Sequence, residues 1–224
     1  MEDQQAHNEF PDLLYPGMEA FDGDPGLRPV FQLAQICESE TGHSKHVTFL
    51  ALRLFDQLQE LHHLGDQERS WLCAAGLLHD IGWVEGWRGH HKTSLRIILE
   101  TPMLPFSSKE RLIVGSIARY HRKGLPKRSH DNLAALGKKE QSSVLMLAAF
   151  LRLANNLDLD HRSLVKNLNC MLSGAQITIF CEVEQPAEDE LMAASEKADL
   201  LAKVFHKKIN LQMQPTEAKV VPIE

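Results

Sequence analysis

The segment Leu77-Leu78-His79-Asp80-Ile81-Gly82 constrains this chain more than any other. It closes a run, Trp71, Leu72, Ala74, Ala75, Leu77 and Leu78, that is apolar nearly all round. That is the pattern of a helix buried at the centre of a bundle. Asp66 is expected as its N-cap and Gly82 as its end. Other stretches bring more imidazoles: His43-Ser44-Lys45-His46-Val47 upstream, and His90-His91-Lys92 and Tyr120-His121-Arg122-Lys123 downstream. Imidazoles that join a carboxylate from separate helices are how an all-helical core builds a divalent-metal site.

The remaining periodicity predicts the frame around that segment. Val30, Leu33, Ala34 and Cys37 share one helical face, and Val47, Leu50, Ala51, Leu54, Phe55 and Leu58 another. Further helices are expected at 90–100, 108–121 and 141–159. Ser107 or Ser108 is expected to cap the second, with Glu110 in its first turn. After Gly174 the pattern changes. Ile177, Ile179 and Cys181 alternate with polar or outward positions as a strand, a helix follows over 188–207, and Ile209, Leu211 and Met213 alternate as a second strand. The expected fold is mainly α. It comprises an irregular leader over 1–26, a helical domain over 27–173 and a small β-α-β appendage over 174–224. The apolar tail strand at Ile209–Met213 could pair across subunits into a homodimer.

Bulk properties exclude several functions. The net charge of -6 and pI near 6.1 provide no basic field for nucleic acid. Cys37, Cys73, Cys170 and Cys181 are far apart, so neither a zinc knuckle nor a redox pair is indicated. No secretory signal and no apolar run of membrane length is present, so a cytoplasmic protein without membrane association is expected. There is no nucleotide-cradling glycine loop and no serine-nucleophile elbow.

Five segments, read in order, carry a family likeness. They are Ala51-Leu52-Arg53-Leu54-Phe55-Asp56, Leu77-Leu78-His79-Asp80-Ile81-Gly82, Gly89-His90-His91-Lys92, Ile117-Ala118-Arg119-Tyr120-His121-Arg122-Lys123 and Leu151-Arg152-Leu153-Ala154. From about Leu27 to Asn169 the chain resembles the HD superfamily of metal-dependent phosphohydrolases. Within it, the chain is most similar to the helical C-terminal region of the exopolyphosphatase and guanosine-pentaphosphate phosphohydrolase (Ppx/GppA) family. The resemblance implies an HD-type helical bundle that holds a divalent cation (manganese, magnesium, nickel or iron) at His43, His79 and Asp80. His46, one turn after His43, ranks second for that position. The last ligand of the superfamily is an aspartate in a Leu-Ala-Asp helix. Here the segment reads Leu153-Ala154-Asn155, with Asp158 three residues on as a substitute. Members with two metals add histidines where His91 and His121 stand, with His90 a rival to His91 and Asp80 as the bridge.

A basic cluster follows the histidines: Lys92, Arg96, Arg119, Arg122, Lys123, Lys127 and Arg128. It reads either as an anion-binding rim or as a solvated charged turn. On the first reading Lys92, Arg122, Lys123 and Lys127 bind a phosphorylated small molecule, and Asp80 and Lys92 are catalytic. The implied activity is attack of a metal-activated water on a phosphoester or phosphoanhydride of a nucleotide, a guanosine polyphosphate or a polyphosphate. The exopolyphosphatase family's own chemistry resides in actin-like N-terminal domains, for which these 224 residues have no room. The alternative is a regulatory module that binds a phosphorylated ligand or protein partner and turns nothing over. Asn155 in place of a carboxylate favours it.

Overall fold

A computed structural model describes residues 26–37, 41–122 and 124–216. Its order is α1 (Arg28–Ile36), α2 (Thr41–Gln57), α3 (Gln59–His62), α4 (Asp66–Leu77), a 3₁₀ turn (Ile81–Glu85), α5 (His90–Glu100), α6 (Ser108–Arg119), α7 (Asp131–Ala134) and α8 (Lys138–Asn156). Then come β1 (Val165–Ser173), β2 (Gln176–Val183), α9 (Glu188–Lys197), α10 (Asp199–Phe205) and β3 (Lys208–Pro215). The chain is mainly α with a strand-bearing C-terminal appendage, as expected. The leader, up to residue 25, lies outside the described residues.

α4 is the axis of the bundle. Every residue from Trp71 to Leu77 is buried, and α2, α6 and α8 pack around it. Its start differs from expectation by one residue. Gly65 is the N-cap, and the carboxylate of Glu68 accepts the Gly65 N–H at 3.2 Å. Asp66 is therefore the first helical residue, where a negative charge complements the helix dipole. Ser107 caps α6 in a reciprocal capping box with Glu110.

Gly82 does not end α4, which stops at Leu77 with Leu78 as C-cap. Its part is close approach. A Cβ on Gly82 would collide with the His90 carbonyl oxygen and lie 2.7 Å from the Ser94 nitrogen. The missing side chain lets α5 press directly on the turn after α4. Ser94 locks the contact: its hydroxyl donates to the His79 carbonyl at 2.7 Å and accepts the Gly82 N–H at 3.0 Å.

The appendage is a three-stranded sheet of order β1-β2-β3. β1 and β2 are antiparallel across Gly174, and β2 and β3 are parallel across the α9–α10 crossover. The crossover helix, expected as one piece, breaks at Ala198 into two that rest on α8. β1 was not foreseen. It carries Asn167 and Asn169, poor strand formers, and a register irregularity between Val165 and Asn167. Tertiary bonds from α2 hold it. Arg53 Nε donates to Asn167 Oδ1 at 2.9 Å, and Gln57 bridges the Leu168 carbonyl and the Cys170 N–H. No described helix is long and apolar enough to cross a membrane.

His62 gives the fold a pH signature. It is buried, its Nε2–H donates to the Phe55 carbonyl at 2.7 Å, and its Nδ1 accepts the Leu64 N–H at 2.9 Å. Burial lowers its pKa. The unfolded chain thus takes up a proton near the ordinary value of about 6.5 that the folded chain refuses. Stability is full above that pH and declines as pH falls below it. We expect His62→Gln, which can make both bonds uncharged, to lose less stability than the native chain between pH 7 and pH 5 in urea titrations. Equal losses would remove His62 from the acid limb. Separately, Gly82→Ala is expected to cost about 3 kcal/mol, the upper end for overpacking. A wild-type urea midpoint would show that α5 moves away freely.

Candidate metal centre

The site lies at one end of the bundle, where helix termini meet. The C-terminal ends of α4, α6 and α8 bring His79 with Asp80, His121, and Asn155 with Asp158. The N-terminal turns of α2 and α5 bring His43 and His90. Three helix C-termini place partial negative charge there, which favours a cation.

Asp80 is the centre. Its Oδ2 lies 3.4 Å from His79 Nε2 and 3.9 Å from His43 Nε2. Its Oδ1 lies 3.3 Å from His90 Nε2 and 3.4 Å from His121 Nε2. Two ligand trios result: His43, His79 and Asp80, and Asp80, His90 and His121. The donor atoms within each lie within 4.8 Å of one another.

The protons on these rings are fixed from behind. His79 Nδ1 bonds the Gly76 carbonyl at 2.7 Å, His121 Nδ1 the Ala118 carbonyl at 2.7 Å, and His90 Nδ1 the Trp87 carbonyl at 3.0 Å. A carbonyl only accepts, so each Nδ1 carries hydrogen and each neutral ring turns a bare Nε2 inward. His43 Nδ1 bonds Asp158 Oδ2 at 2.8 Å instead. An imidazole backed by a carboxylate or carbonyl is how a ligating histidine is oriented.

These residues fit a divalent cation. Among the described residues, the buried His79 Nε2 and Asp80 Oδ1 have no hydrogen-bond partner. His90 Nε2 and His121 Nε2 face each other at 3.3 Å with both Nδ1 protons committed elsewhere. Opposed lone pairs repel unless a positive charge is shared between them. Burial also pushes the pKa of His90 down, and that of His121 well down, which keeps both rings neutral. For Asp80 burial acts upward, but the adjacent imidazoles, His79 foremost through its charge and hydrogen bond, outweigh it and hold the carboxyl well below its usual range. For His79 burial acts downward, and the neighbouring Asp80 charge reverses it.

The placement differs from the sequence expectation at four points. His90, not His91, turns to Asp80. Successive helical residues point about 100° apart, so only one of the pair can face in. Asp158 does not take the place of the ligand at position 155. α8 has ended by Asn156, so the helical spacing behind that expectation no longer applies. Asp158 stands behind His43 and also accepts the Ser163 N–H at 2.6 Å. Burial raises its pKa, but the bond from His43 outweighs that and holds the carboxyl down. Lys92, two residues past His90, and Lys127 are both exposed. Lys123 lies outside the described residues. His46 is buried on α2 outside both trios, its pKa pushed by burial to about 4.

A cleft of about 460 Å³ opens onto the centre. His43, Asp80, His121 and Asn155 line its floor, and Arg122 and Lys197 are the cations on its wall. Three contributors escaped sequence reasoning. Lys197 comes from the appendage. Trp83 comes from the 3₁₀ turn. His161, whose ring stacks on His43 with centroids 3.7 Å apart, comes from the loop after α8. Only the position of Trp83, three residues past Asp80, hinted at its place.

A family model, Ppx/GppA phosphatase, domain III, matches residues 27–203. No curated protein matches the chain.

The bond between His43 and Asp158 can be tested apart from any activity. Asp158→Asn keeps the shape and removes the charge that orients the ring. Removing such a partner costs about 10- to 100-fold in metal affinity. We expect a fall of that size for manganese in a chelator competition, with unchanged helix content by circular dichroism. Unaltered affinity would show that Asp158 does not orient a ligand.

Proposed function

The chain belongs to the Ppx/GppA phosphatase domain III family, and on that premise we propose that it is an HD-type, metal-dependent phosphohydrolase acting on a phosphoester or phosphoanhydride. The observation that carries the reading is the Asp80 carboxylate. Each of its oxygens faces a pair of imidazoles whose Nε2 lone pairs point inward. His43, His79 and Asp80 would hold one divalent ion, and Asp80, His90 and His121 a second. When bound, such ions supply Lewis acidity toward phosphoryl oxygens and lower the pKa of water.

The rest is the work of the chain's own groups. Asp158 holds His43 in the tautomer that leaves Nε2 free. Asn155 presents an uncharged amide at the floor of the cleft. Arg122 and Lys197 stand where a phosphate would carry its charge, so their guanidinium and ammonium groups neutralise it as it builds. The cleft admits a small phosphorylated molecule, and its limited volume keeps the reacting phosphate among these donors.

The competing reading, a regulatory module that binds a phosphorylated ligand without turnover, draws on Asn155, a weaker donor than a carboxylate for a hard cation. One experiment separates the two. Protein grown in metal-supplemented medium is assayed for bound metal and for phosphate release with manganese, magnesium, nickel and iron. We expect stoichiometric metal and turnover in the native chain. His79→Ala and Asp80→Ala should lose both, with activity falling at least about 100-fold, whereas His91→Ala should retain both. Metal-free native protein that still binds phosphate would favour the module.

A further inference from the structure

The cleft is lined by apolar as well as polar side chains. Trp83 lines it with 47 % of its surface exposed, and Leu159 lines it with 46 % exposed. Trp87 is more exposed still, at 61 %, so exposure alone singles out nothing. What sets Trp83 apart is that it lines the cleft and that its turn is held at both ends by the metal centre. The Trp83 N–H donates to the carbonyl of Asp80 at 3.0 Å. The carbonyl of Trp87 accepts from Nδ1 of His90. Gly86 N–H closes the turn on the Trp83 carbonyl at 2.8 Å, with Gly86 at a φ of 108° that disfavours other residues. One face of the indole stacks on His90, with centroids 5.0 Å apart and planes 18° from parallel. The exposed part of the ring is therefore its other side, and Trp83 also lines the cleft. The indole is fixed in position beside the centre rather than left loose on the surface.

A rigid, half-exposed aromatic plane beside a phosphate-sized centre calls for a ligand with a flat ring attached to a phosphate. An inorganic polyphosphate chain would need a row of cations along its length. The cleft supplies Arg122 and Lys197, opposes them with Glu196, and sets Trp83, Leu159 and Ala193 beside the uncharged Asn156 and the His161 ring that stacks on His43. Resting on the phosphohydrolase reading, we propose that Trp83 is a stacking platform for a nucleobase and that the substrates of this site are nucleoside phosphates rather than inorganic polyphosphate. The base lies on the free face of the indole with Leu159 on the facing wall, and the phosphate reaches Asp80 and its imidazoles. Base stacking on an aromatic side chain corresponds to about tenfold or more in affinity.

The test compares AMP, ribose 5-phosphate and tripolyphosphate with protein purified from metal-supplemented medium. Quenching of tryptophan fluorescence is read by rapid mixing before turnover, and KM and kcat are read from phosphate release. We expect AMP to quench while the other two do not, and KM for AMP to be about tenfold below that for ribose 5-phosphate. Trp83→Ala should abolish the quenching, although Trp71 and Trp87 remain, and should raise KM for AMP about tenfold. Trp83→Phe should keep most of the preference. Absence of quenching by AMP, or an AMP preference that survives Trp83→Ala, overturns the platform whether or not phosphate is released. Quenching by AMP without phosphate release supports the platform and removes the hydrolase reading instead.

Discussion

The centre depends on where the imidazole protons go. Three of the four rings give Nδ1–H to a carbonyl three residues back, at Gly76, Trp87 and Ala118. Two of those carbonyls belong to the last turns of α4 and α6, where acceptors outnumber helical donors, and that of Ala118 also accepts the His121 backbone N–H at 3.3 Å. One bond thus occupies a helix-end carbonyl, fixes a tautomer and aims a lone pair. The fourth ring, His43, sits like His90 at the start of a helix, but its Nδ1 faces a carboxylate, that of Asp158, rather than a carbonyl. The geometry at Asp80 therefore follows from the acceptor that each imidazole finds behind its Nδ1.

Packing keeps this arrangement in place. The turn after α4 cannot shift, because α5 rests on Gly82 and Ser94 bonds both strands of the contact. α2, which carries His43, is tied to β1 through Arg53 and Gln57. The small sheet thereby braces the ligand helix, and its crossover helix α9 adds Lys197 to the cleft wall. Polar groups buried in a low-dielectric end of the bundle are costly when unsatisfied. The bare Nε2 of His79 and Oδ1 of Asp80 are the buried atoms that a bound cation would satisfy.

How much of this was legible in the sequence depended on whether a residue's place was set by a helix or by a neighbour. His43, His79, Asp80 and His121 were legible because each sits in an apolar helical segment or within a residue or two of its end. The choice between His90 and His91 was one residue of helical phase, and spacing cannot resolve that without the partner helix. Asp158 was misplaced because its role depends on α8 stopping at Asn156, after a run in which Leu151, Leu153 and Ala154 all favour continuing. β1 was invisible because Asn167 and Asn169 break its strand pattern and the bonds that hold the strand to α2 come from more than a hundred residues earlier. The basic cluster drew attention by its density. Yet Lys92 is not among the residues that line the cleft, and the cation that lines it from the appendage, Lys197, lies far outside the cluster in sequence.

Asn155 bears on the chemistry through charge. On the proposed reading, the donors that face the ions are one carboxylate, Asp80, and neutral rings. The second carboxylate, Asp158, sits one bond further back, behind His43. Divalent ions held by so few negative charges keep a net positive charge, which attracts a phosphate in proportion. An aspartate at position 155 would strengthen the hold on the cation and weaken that attraction. The amide does the reverse, and Arg122 and Lys197 add to the positive field around it. The substitution that argues for a weakened metal site therefore argues equally for a site whose strongest pull is on the anionic ligand.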